Sequence, residues 1–320
     1  MRREKTREID LFLDECERLR LCSQTADQCL RKALEVRRRR GLLVSPRPGL
    51  YARTQTWKRL PRTERELWVL HAIAALRPGW TFCHASAALA HGLYVSHRRL
   101  CPEHIATSPG SRHSSCRLAK RHVIDDPTTT VASGVAVTSL RRTALDCLRT
   151  LPEPEALAIA DSTLRRGGMS KDELLAHLEH HGRRRRNIKR ALDIVRIADA
   201  RSESGGESMA RHIMIANGFP LPDLQRPIPN PDNPSSPYRV DFYWELDDGT
   251  ILIGEMDGIE KYENPEMTGG RSAVRVMSDE RMRESRLTLM GARIMRFGFH
   301  DVTRPERLVR LLLRFGLRQA

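Results

Sequence analysis

The stretch YRVDFYWELDDGTILIGEMDGIEK, residues 238 to 261, decides the fold of the C-terminal part of the chain. Apolar and polar side chains alternate over its first nine residues, broken only by Tyr243, which predicts a half-buried β-strand. The DDG of residues 247 to 249 predicts a tight turn, and a second strand follows. Because alternate residues of a strand share a face, Glu255 and Asp257 end this second strand on the same side. The predicted faces are Ile251, Ile253, Glu255 and Asp257 on one side and Leu252, Gly254 and Met256 on the other.

Residues 241 to 270 carry nine acidic side chains and one basic one, Lys261, in a chain whose formal net charge is +15. Carboxylates at strand ends repel one another, so they either extend into solvent or are held together by a hard cation such as Mg²⁺. Bound Mg²⁺ that also coordinates phosphate can activate water for hydrolysis. We favour such a site for Asp241, Glu255 and Asp257, which lie on the strands. A solvated surface is expected for the acids of the turn and the following loop, namely Asp247, Asp248, Glu260, Glu263 and Glu266.

The length of 320 residues and an apolar content of 40% predict two or three domains, each with its own core. The sequence pI of about 10.1 indicates an anionic partner, which could be nucleic acid, an anionic membrane surface or an acidic protein. No run of eighteen apolar residues occurs, and the N-terminal residues lack the apolar core of a signal peptide. We therefore expect a cytoplasmic protein without a membrane partner.

The cysteines and histidines do not predict a metal site. Seven cysteines are an odd number and none forms a CxxC pair, which argues against a disulfide framework and a zinc ribbon and favours reduced, mostly buried thiols. The histidines of the middle segment show no recognised ligand spacing, so zinc is not expected there. They are His84, His91, His97, His104, His113 and His122.

The first eighty residues show the pattern of a winged helix. Apolar residues recur at helical spacing over residues 9 to 19, and Thr25 with Gln28 predicts a capping box at the start of a second helix. Two short strands, at residues 42 to 44 and 50 to 52, then form a basic hairpin. A further helix is predicted over residues 62 to 76, with Leu67, Leu70, His71 and Ala74 on its apolar stripe.

The charge of this region predicts contact with DNA. Residues 31 to 60 contain ten Lys or Arg side chains and one acid, Glu35, which is typical of a surface that binds phosphates along a duplex. An arginine run alone is also typical of a solvated helix face, so the prediction depends on its position beside the hairpin. The candidate phosphate-binding residues are Arg37, Arg38, Arg39, Arg40 and Arg47.

The rest of the chain predicts a mixed α/β structure. The middle segment carries helix patterns at residues 84 to 91, 140 to 148, 153 to 165, 171 to 180 and 188 to 198, and strand patterns at residues 104 to 107, 123 to 124 and 134 to 138. A second basic run, Arg183 to Arg186, precedes the last of these helices. The C-terminal segment predicts helices at residues 202 to 219, 273 to 290 and 305 to 317, and a third strand at residues 293 to 297.

Three motifs of the first half resemble those of the AbiEi-type antitoxins and transcriptional regulators of bacteria. They are GLYAR, TFCHASAALAHGL and GVAVTSLRRTALDCLRTL, in that order, and the resemblance covers roughly residues 10 to 165. It implies an N-terminal winged helix that binds double-stranded DNA, and a cognate toxin or another protein as a possible partner.

The C-terminal segment is similar to the PD-(D/E)XK nucleases, and residues 203 to 302 resemble domains related to very-short-patch-repair endonucleases. The motifs ESGGES, RVDFYW, GEMDGIEKY, DERMRESRL and GARIMRFGFHDV follow the order of that family. The resemblance implies a restriction-endonuclease-like αβββαβ-type domain and Mg²⁺ as the cofactor of a catalytic form.

The resemblance also assigns residues. Asp241 and Glu255 match the metal ligands, and Glu207 matches the glutamate of the first helix. The remaining matches are Asp257 and Lys261 in the DGxxKY element and Glu280 and Arg283 in the ExxRE element. Position 257 departs from the superfamily pattern, which has a lysine there. Lys261 then either supplies the positive charge from another backbone position or is a solvated surface lysine, and the domain either cuts DNA or binds without cutting.

We therefore predict three domains of an α+β or α/β multidomain protein: a winged helix at 1–80, an α/β AbiEi-like middle domain at 81–200 and an endonuclease-like domain at 201–320. The predicted function is a DNA-binding protein whose Mg²⁺-dependent domain hydrolyses DNA phosphodiesters, with catalytic residues Glu207, Asp241, Glu255, Asp257 and Lys261. The alternative is a non-catalytic, antitoxin-like transcriptional regulator with a degenerate nuclease fold.

Overall fold

The protein has a mixed α/β structure that divides into two compact units. The computed structural model describes residues 2–110, 119–125, 128–231, 233–257 and 273–319. The N-terminal unit contains Met1–Gly92 and Ser96–Thr143, and the C-terminal unit contains Leu93–Val95 and Ala144–Ala320. The predicted middle segment, 81–200, is thus shared between both units. The assignment of three domains stays a prediction.

The N-terminal unit combines short helices with three two-stranded pairings. Its helices are α1 (Arg2–Arg18), α2 (Gln28–Arg39), α3 (Thr54–Arg59), α4 (Arg62–Leu76) and α5 (His84–Ala90), with a 3-10 turn at His97–Arg99 and the first residues of α6 (Leu140–Thr150). Its strands are β1 (Leu43–Val44), β2 (Ala52–Arg53), β3 (Glu103–Thr107), β4 (Ala119–Val123), β5 (Thr129–Ala132) and β6 (Val135–Thr138). β1 pairs with β2 and β5 with β6 in antiparallel fashion, whereas β3 and β4 run parallel.

The first core of this unit lies between the two N-terminal helices and the hairpin. Leu13 of α1, Leu34 of α2 and Leu43 of β1 are buried together with Tyr51. The hairpin was predicted, and the structure confirms it with slightly shifted strand ends.

The start of α2 differs from the prediction. The helix begins at Gln28, and its N-cap is Asp27, whose carboxylate accepts hydrogen bonds from the amides of Cys29 (2.7 Å) and Leu30 (3.1 Å). A carboxylate satisfies two of the unpaired amides of the first turn, and its negative charge suits the helix N-terminus. The predicted capping box from Thr25 is therefore wrong.

Helix α4 has the predicted bounds but a wider buried face than a single stripe. Trp68, Val69 and Ile73 are buried in addition to Leu70, whereas His71 is only partly covered. The imidazole of His71 instead bonds the carbonyl oxygens of Arg20 and Ser133. Contacts on several sides explain why the helix shows little amphipathic pattern.

A short extended segment before α5 joins the two strand pairs that follow it. Phe82 is fully buried and bridges Ile105 of β3 on one side and Val137 of β6 on the other. The next residue, Cys83, donates its amide to the carbonyl oxygen of His104 at 3.0 Å. This segment therefore fixes the beginning of α5 against β3.

The C-terminal unit consists of a helical group followed by a four-stranded sheet. Its helices are α6, α7 (Glu153–Arg165), α8 (Lys171–His181), α9 (Ile188–Arg196), α10 (Gly205–Ala216), α11 (Ala273–Leu289), α12 (Phe299–Val302) and α13 (Pro305–Arg314). Its strands are β7 (Asp223–Ile228), β8 (Tyr238–Glu245), β9 (Ile251–Asp257) and β10 (Arg293–Gly298). From α10 to β10 the described elements follow the order αβββαβ. β7 was not among the strands read from the sequence, because Pro227 and the charged Arg226 interrupt its pattern.

The order of the sheet is β10-β9-β8-β7. β7, β8 and β9 are antiparallel neighbours, and β10 pairs with β9 in parallel. Leu252 and Met256 pack in the core cluster on one face of the sheet, whereas Ile251 and Ile253 pack in the cluster on the other. The predicted division of β9 into two faces is therefore confirmed for these residues.

Helix α7 packs against α10 through a buried ion pair. The guanidinium of Arg211 donates from Nη2 to both carboxylate oxygens of Asp161 at 2.8 Å, and the two side chains are 7% and 0% exposed. Arg211 also bonds the carbonyl oxygen of Ile197 at 2.6 Å.

In the described residues, no helix has the length and apolar character needed to cross a membrane.

Candidate functional site

Glu207 lies in the first turn of α10 and is only 5% exposed. Ser204 caps the helix, because its hydroxyl accepts a hydrogen bond from the amide of Glu207 at 3.1 Å. The carboxylate of Glu207 accepts a bond from the amide of Glu203 at 2.7 Å. Burial and then the negative charge of Asp241 raise the pKa of Glu207 to about 7. Near neutral pH this carboxyl group can therefore both release and accept a proton.

Gln225 connects Glu207 to Asp241. Its side-chain amide donates from Nε2 to Oε2 of Glu207 at 3.1 Å and to Oδ1 of Asp241 at 3.2 Å. The other carboxylate oxygen of Asp241 accepts the amide of Met256 at 2.9 Å. An acid of α10 and an acid of β8 thus lie beside the same amide group, and the backbone of β9 holds the second acid in place.

The backbone at Gln225 is unusual. Its φ of +53° lies in the left-handed region, which residues other than glycine rarely adopt and which costs energy. Register pairs lie on both sides of it, Leu224 with Phe242 and Arg226 with Val240. Residues an even number apart on a regular strand share a face of the sheet. Leu224 and Ile228 on β7 nevertheless pack in different core clusters, and so do Phe242 and Val240 on β8. On each strand the alternation of side chains between the two faces of the sheet is therefore interrupted, at Gln225 on β7 and at Asp241 on β8.

No feature of the sequence singled out Gln225. Glutamine is common in polar segments, and the sequence around it, DLQRPI, lacks a clear alternation. Only the pairing of β7 with β8 places this amide beside the two acids.

Glu255 lies on β9 and is 8% exposed. Its Oε1 accepts a hydrogen bond from Nη2 of Arg283 on α11 at 2.7 Å, and the same nitrogen contacts the carbonyl oxygen of Arg239 at 2.6 Å. The Arg283 position in the ExxRE element therefore contacts a predicted metal ligand. To bind a metal through Oε1, Glu255 would have to give up this ion pair.

Asp257 ends β9 with an ion pair of its own. Its Oδ1 accepts a bond from Nη1 of Arg296 on β10 at 2.8 Å, and its side chain is partly exposed. Lys261 and the side chain of Glu280 lie outside the described residues. Of the five predicted catalytic residues, the structure brings Glu207 and Asp241 together, and it pairs Glu255 and Asp257 with arginines.

The donor set at Glu207 and Asp241 fits a hard divalent cation. Two carboxylates that share one amide donor repel each other, and the raised pKa of Glu207 is partly a consequence of that repulsion. A cation such as Mg²⁺ prefers oxygen ligands and binds through one or two carboxylates. Within the described part of the chain, these acids do not form a group of three mutually close ligands. Glu255, the other predicted metal ligand, directly follows Gly254, which pairs with Phe242, the residue after Asp241.

The predicted DNA-binding arginines fall into two groups. Arg38, Arg39 and Arg40 are exposed at the end of α2. Arg38 and Arg39 both bond Glu35, one helical turn earlier, at distances of 2.7 to 3.3 Å. The bond from Arg38 is the main cause that lowers the pKa of Glu35 to about 2.

Arg37 and Arg47 have internal partners. Arg37 pairs with Asp10 of α1 at 2.6 Å. Arg47 is 11% exposed, and its guanidinium bonds Glu66 at 2.8 Å and Glu103 at 3.0 Å. A phosphate contact by Arg47 would break these bonds, so we remove it from the proposed interface.

A group of possible metal ligands that the sequence spacing did not predict lies in the N-terminal unit. Cys83, His84 and His122 each offer a ligand atom, and these atoms all lie within 4.8 Å of one another. The expectation that these histidines do not bind zinc stays a prediction, but the structure brings two of them together with a cysteine. Cys83 and His84 are adjacent in sequence, whereas His122 is distant and comes close to them because β4 pairs with β3, whose His104 accepts the amide of Cys83.

The comparisons with known proteins give a limited likeness. No family model matches the chain. Two relatives from Mycobacterium tuberculosis, "Uncharacterized protein MT2308" (strain CDC 1551 / Oshkosh) and "Uncharacterized protein Rv2248" (strain ATCC 25618 / H37Rv), are each 38% identical over 134 residues. The match covers 42% of this chain and 47% of theirs, so the chain spans about half the length of the curated relatives it matches. A solved structure, "Crystal structure of RV2827C protein from Mycobacterium tuberculosis", is 15% identical with a TM-score of 0.32, over 63% of this chain and 78% of that one.

Proposed function

We propose that this chain is a DNA-binding protein whose C-terminal unit hydrolyses DNA phosphodiesters with the help of Mg²⁺. The observation that carries the proposal is the pair of acids, Glu207 and Asp241, that share the amide of Gln225. A buried acid with a pKa near 7, beside a second acid held by the backbone of β9, is the kind of arrangement that hydrolytic sites use.

The order of elements supports the same proposal. A helix, an antiparallel three-stranded meander, a second helix and a parallel fourth strand follow one another from α10 to β10. The resemblance to very-short-patch-repair-like endonucleases implies an αβββαβ-type domain, and it assigns Glu207 to the first helix and matches Asp241 and Glu255 to the metal ligands. Glu207 lies on α10, Asp241 on β8 and Glu255 on β9.

The proposed roles follow from the contacts. When bound, Mg²⁺ supplies a positive charge that polarises the phosphate and acidifies a water molecule. Asp241 and Glu255 would hold the ion, and Glu207 would complete the ligand shell or accept a proton from the water beside it. Asp257 would complete the ligand shell or position the water, and Lys261 would offset the charge that develops on the phosphate.

For the N-terminal unit we propose a winged helix that binds double-stranded DNA in the cytoplasm. The exposed arginines at the end of α2, Arg38 to Arg40, adjoin the β1-β2 hairpin at Leu43. A helix end that presents three cations next to a hairpin suits contacts with the phosphates of a duplex.

Incubation of the purified chain with supercoiled plasmid tests the catalytic proposal. With Mg²⁺ or Mn²⁺ the wild-type protein should convert the plasmid to nicked or linear forms, and with EDTA it should not. The variant Asp241→Asn should lose the activity. Equal trace nicking by the wild type and this variant would refute the proposal.

A second candidate is a non-catalytic regulator of the antitoxin type. It is favoured by the ion pairs of Glu255 with Arg283 and of Asp257 with Arg296, which neutralise two of the acids, and by the absence of lysine at position 257. In this case the unit would serve as a platform for DNA, a cognate toxin or another protein. Tight binding to one operator-like site in EDTA, without any cleavage in Mg²⁺, would favour this candidate, and equal affinity across a promoter library would count against it.

A further inference from the structure

The group formed by Cys83, His84 and His122 has the composition of a transition-metal site. Cys83 and His84 begin α5, and His122 lies on β4. Nδ1 of His84 is 3.3 Å from Sγ of Cys83, and the rings of His84 and His122 stack with their centroids 3.7 Å apart. One thiol and two imidazoles thus meet where a helix start and a strand come together.

These ligand types select the class of metal. A thiolate and imidazoles suit Zn²⁺ and similar transition metals, whereas Mg²⁺ and Ca²⁺ prefer oxygen ligands. Zinc binds sulfur at about 2.3 Å and nitrogen at about 2.0 to 2.1 Å. Tetrahedral ligands at those distances lie about 3.3 to 3.7 Å from one another. The ligand atoms, within 4.8 Å, would need to close by about 1 Å while one ring rotates out of the stack.

The backbone at the group is already constrained. Cys83 is fully buried and His84 is 7% exposed. His84 has a φ of +47°, in the left-handed region that favours glycine. A strained backbone that persists in a well-packed setting is a reason to search for function.

A third imidazole supports His122 from outside the group. Nε2 of His122 is 2.9 Å from Nδ1 of His104, which lies on the paired strand β3. The backbone of His104 is itself fixed, since its carbonyl oxygen accepts the amide of Cys83 and its own amide donates to Ser86. Histidine ligands of metals commonly have a hydrogen-bond partner that orients the ring, and His104 can provide it.

We propose that Cys83, His84 and His122 bind a Zn²⁺-class transition-metal ion, and that His104 is a positioning residue for His122. The ion would connect the start of α5 to β4 within the N-terminal unit and so stabilise this unit. The site is separate from the carboxylate residues and does not depend on nuclease activity.

Titration of the reduced, metal-free full-length chain with Co²⁺ tests the proposal. Cobalt occupies zinc sites and reports thiolate ligation through a charge-transfer band in the near ultraviolet. We expect one Co²⁺ per chain with this band, its displacement by Zn²⁺, and a higher melting temperature in Zn²⁺ than in a chelator. Absence of the band in the wild type, or no change in melting temperature with Zn²⁺, would overturn the proposal.

Variants identify the ligands. Cys83→Ser should abolish the charge-transfer band, and Cys29→Ser, which removes an exposed thiol on α2, should retain it. His122→Gln changes a partly exposed residue, so it decides the question if Cys83→Ser does not fold. His122→Gln should lose tight binding of Co²⁺, whereas His104→Gln should weaken the affinity for Co²⁺ by roughly 10- to 100-fold. The proposal fails if Cys83→Ser keeps the band or if a folded His122→Gln binds Co²⁺ as the wild type does.

Discussion

Among the described acids of the C-terminal unit, Glu207 is the one whose pKa is raised furthest by burial, to about 7. Its carboxyl group is enclosed by α10 and β7, and its neighbours are an amide and a second acid. Removing a carboxylate from water disfavours its charged form, and the nearby charge of Asp241 adds to the effect. Glu207 should therefore change its protonation state near neutral pH.

The pH dependence of stability should change when Glu207 is replaced by glutamine. The folded-state pKa of about 7 exceeds the ordinary value of 4.5, so the folded chain holds this proton more tightly than the unfolded chain. The stabilisation is fully present below about pH 4.5 and is lost as the pH rises to about 7. Relative to Glu207→Gln, the wild type should lose about 3 kcal/mol of unfolding free energy over that range.

Urea denaturation in EDTA at pH 5 and pH 8 measures this difference. The Asp241→Asn variant is a second check, because loss of the neighbouring charge should lower the pKa of Glu207 and reduce the effect. Parallel pH profiles for the wild type and Glu207→Gln would show that the carboxyl group has an ordinary pKa.

At the level of elements, the connection between α7 and α10 depends on a buried charge pair. Arg211→Met would leave the carboxylate of Asp161 buried without its partner, which should cost about 3 to 5 kcal/mol. The double variant Asp161→Asn, Arg211→Met should lose less, because asparagine is neutral and can still accept the amide of Asp199. Urea denaturation should find the wild type most stable, the double variant next and Arg211→Met least stable.

The control for this prediction is Arg201→Met. Arg201 also pairs with acids, Asp199 and Asp223, but it is 54% exposed. Solvent screens such pairs, so the expected loss is within about 1 kcal/mol. Equal losses for Arg201→Met and Arg211→Met would contradict the role of burial.

The end of α2 should determine how DNA affinity depends on salt. Each phosphate contact contributes about 0.9 to the slope of log affinity against log salt concentration. Replacing Arg38, Arg39 and Arg40 with alanine should therefore flatten the slope by up to about 2.7. Glu35→Gln should act in the opposite direction, because it releases Arg38 and Arg39 from their common carboxylate.

The second basic run supplies the matched control. Alanine at Arg183, Arg184 and Arg186 removes the same number of charges from the C-terminal unit and should leave the slope close to that of the wild type. If the dependence of log affinity on log salt concentration flattens in this variant and not in the α2 variant, DNA binds at the second run and not at the end of α2.

The same elements show what the sequence could reveal. Alternation predicted β8 and β9 and the division of β9 into two faces, because each of its faces packs in a core. β7 was missed, since its pattern is interrupted and its place in the sheet depends on pairing with β8. The internal partners of Arg47 could not be predicted either, because Glu66 and Glu103 are 19 and 56 residues away in the chain.

At the level of the whole molecule, two units carry two separate proposals. The N-terminal unit presents exposed cations and the Cys83 group, whereas the C-terminal unit contains the acids of α10 and of the two central strands of its sheet. Strand patterns and motif order placed Glu207, Asp241 and Glu255 on elements that the structure confirms. The arginine partners of Glu255 and Asp257 depend on how α11 and β10 pack, which no local pattern encodes.

The most direct measurement for the central claim is single-turnover cleavage of supercoiled DNA in Mg²⁺ by a matched set of acid variants. Glu207→Gln, Asp241→Asn and Glu255→Gln each replace one site acid by its amide, and Asp247→Asn makes the same change in the exposed turn between β8 and β9. The account predicts that the three site variants lose roughly 100-fold or more in rate, whereas Asp247→Asn cleaves like the wild type. Equal rates for all five proteins, or no metal-dependent cleavage by any of them, would contradict it.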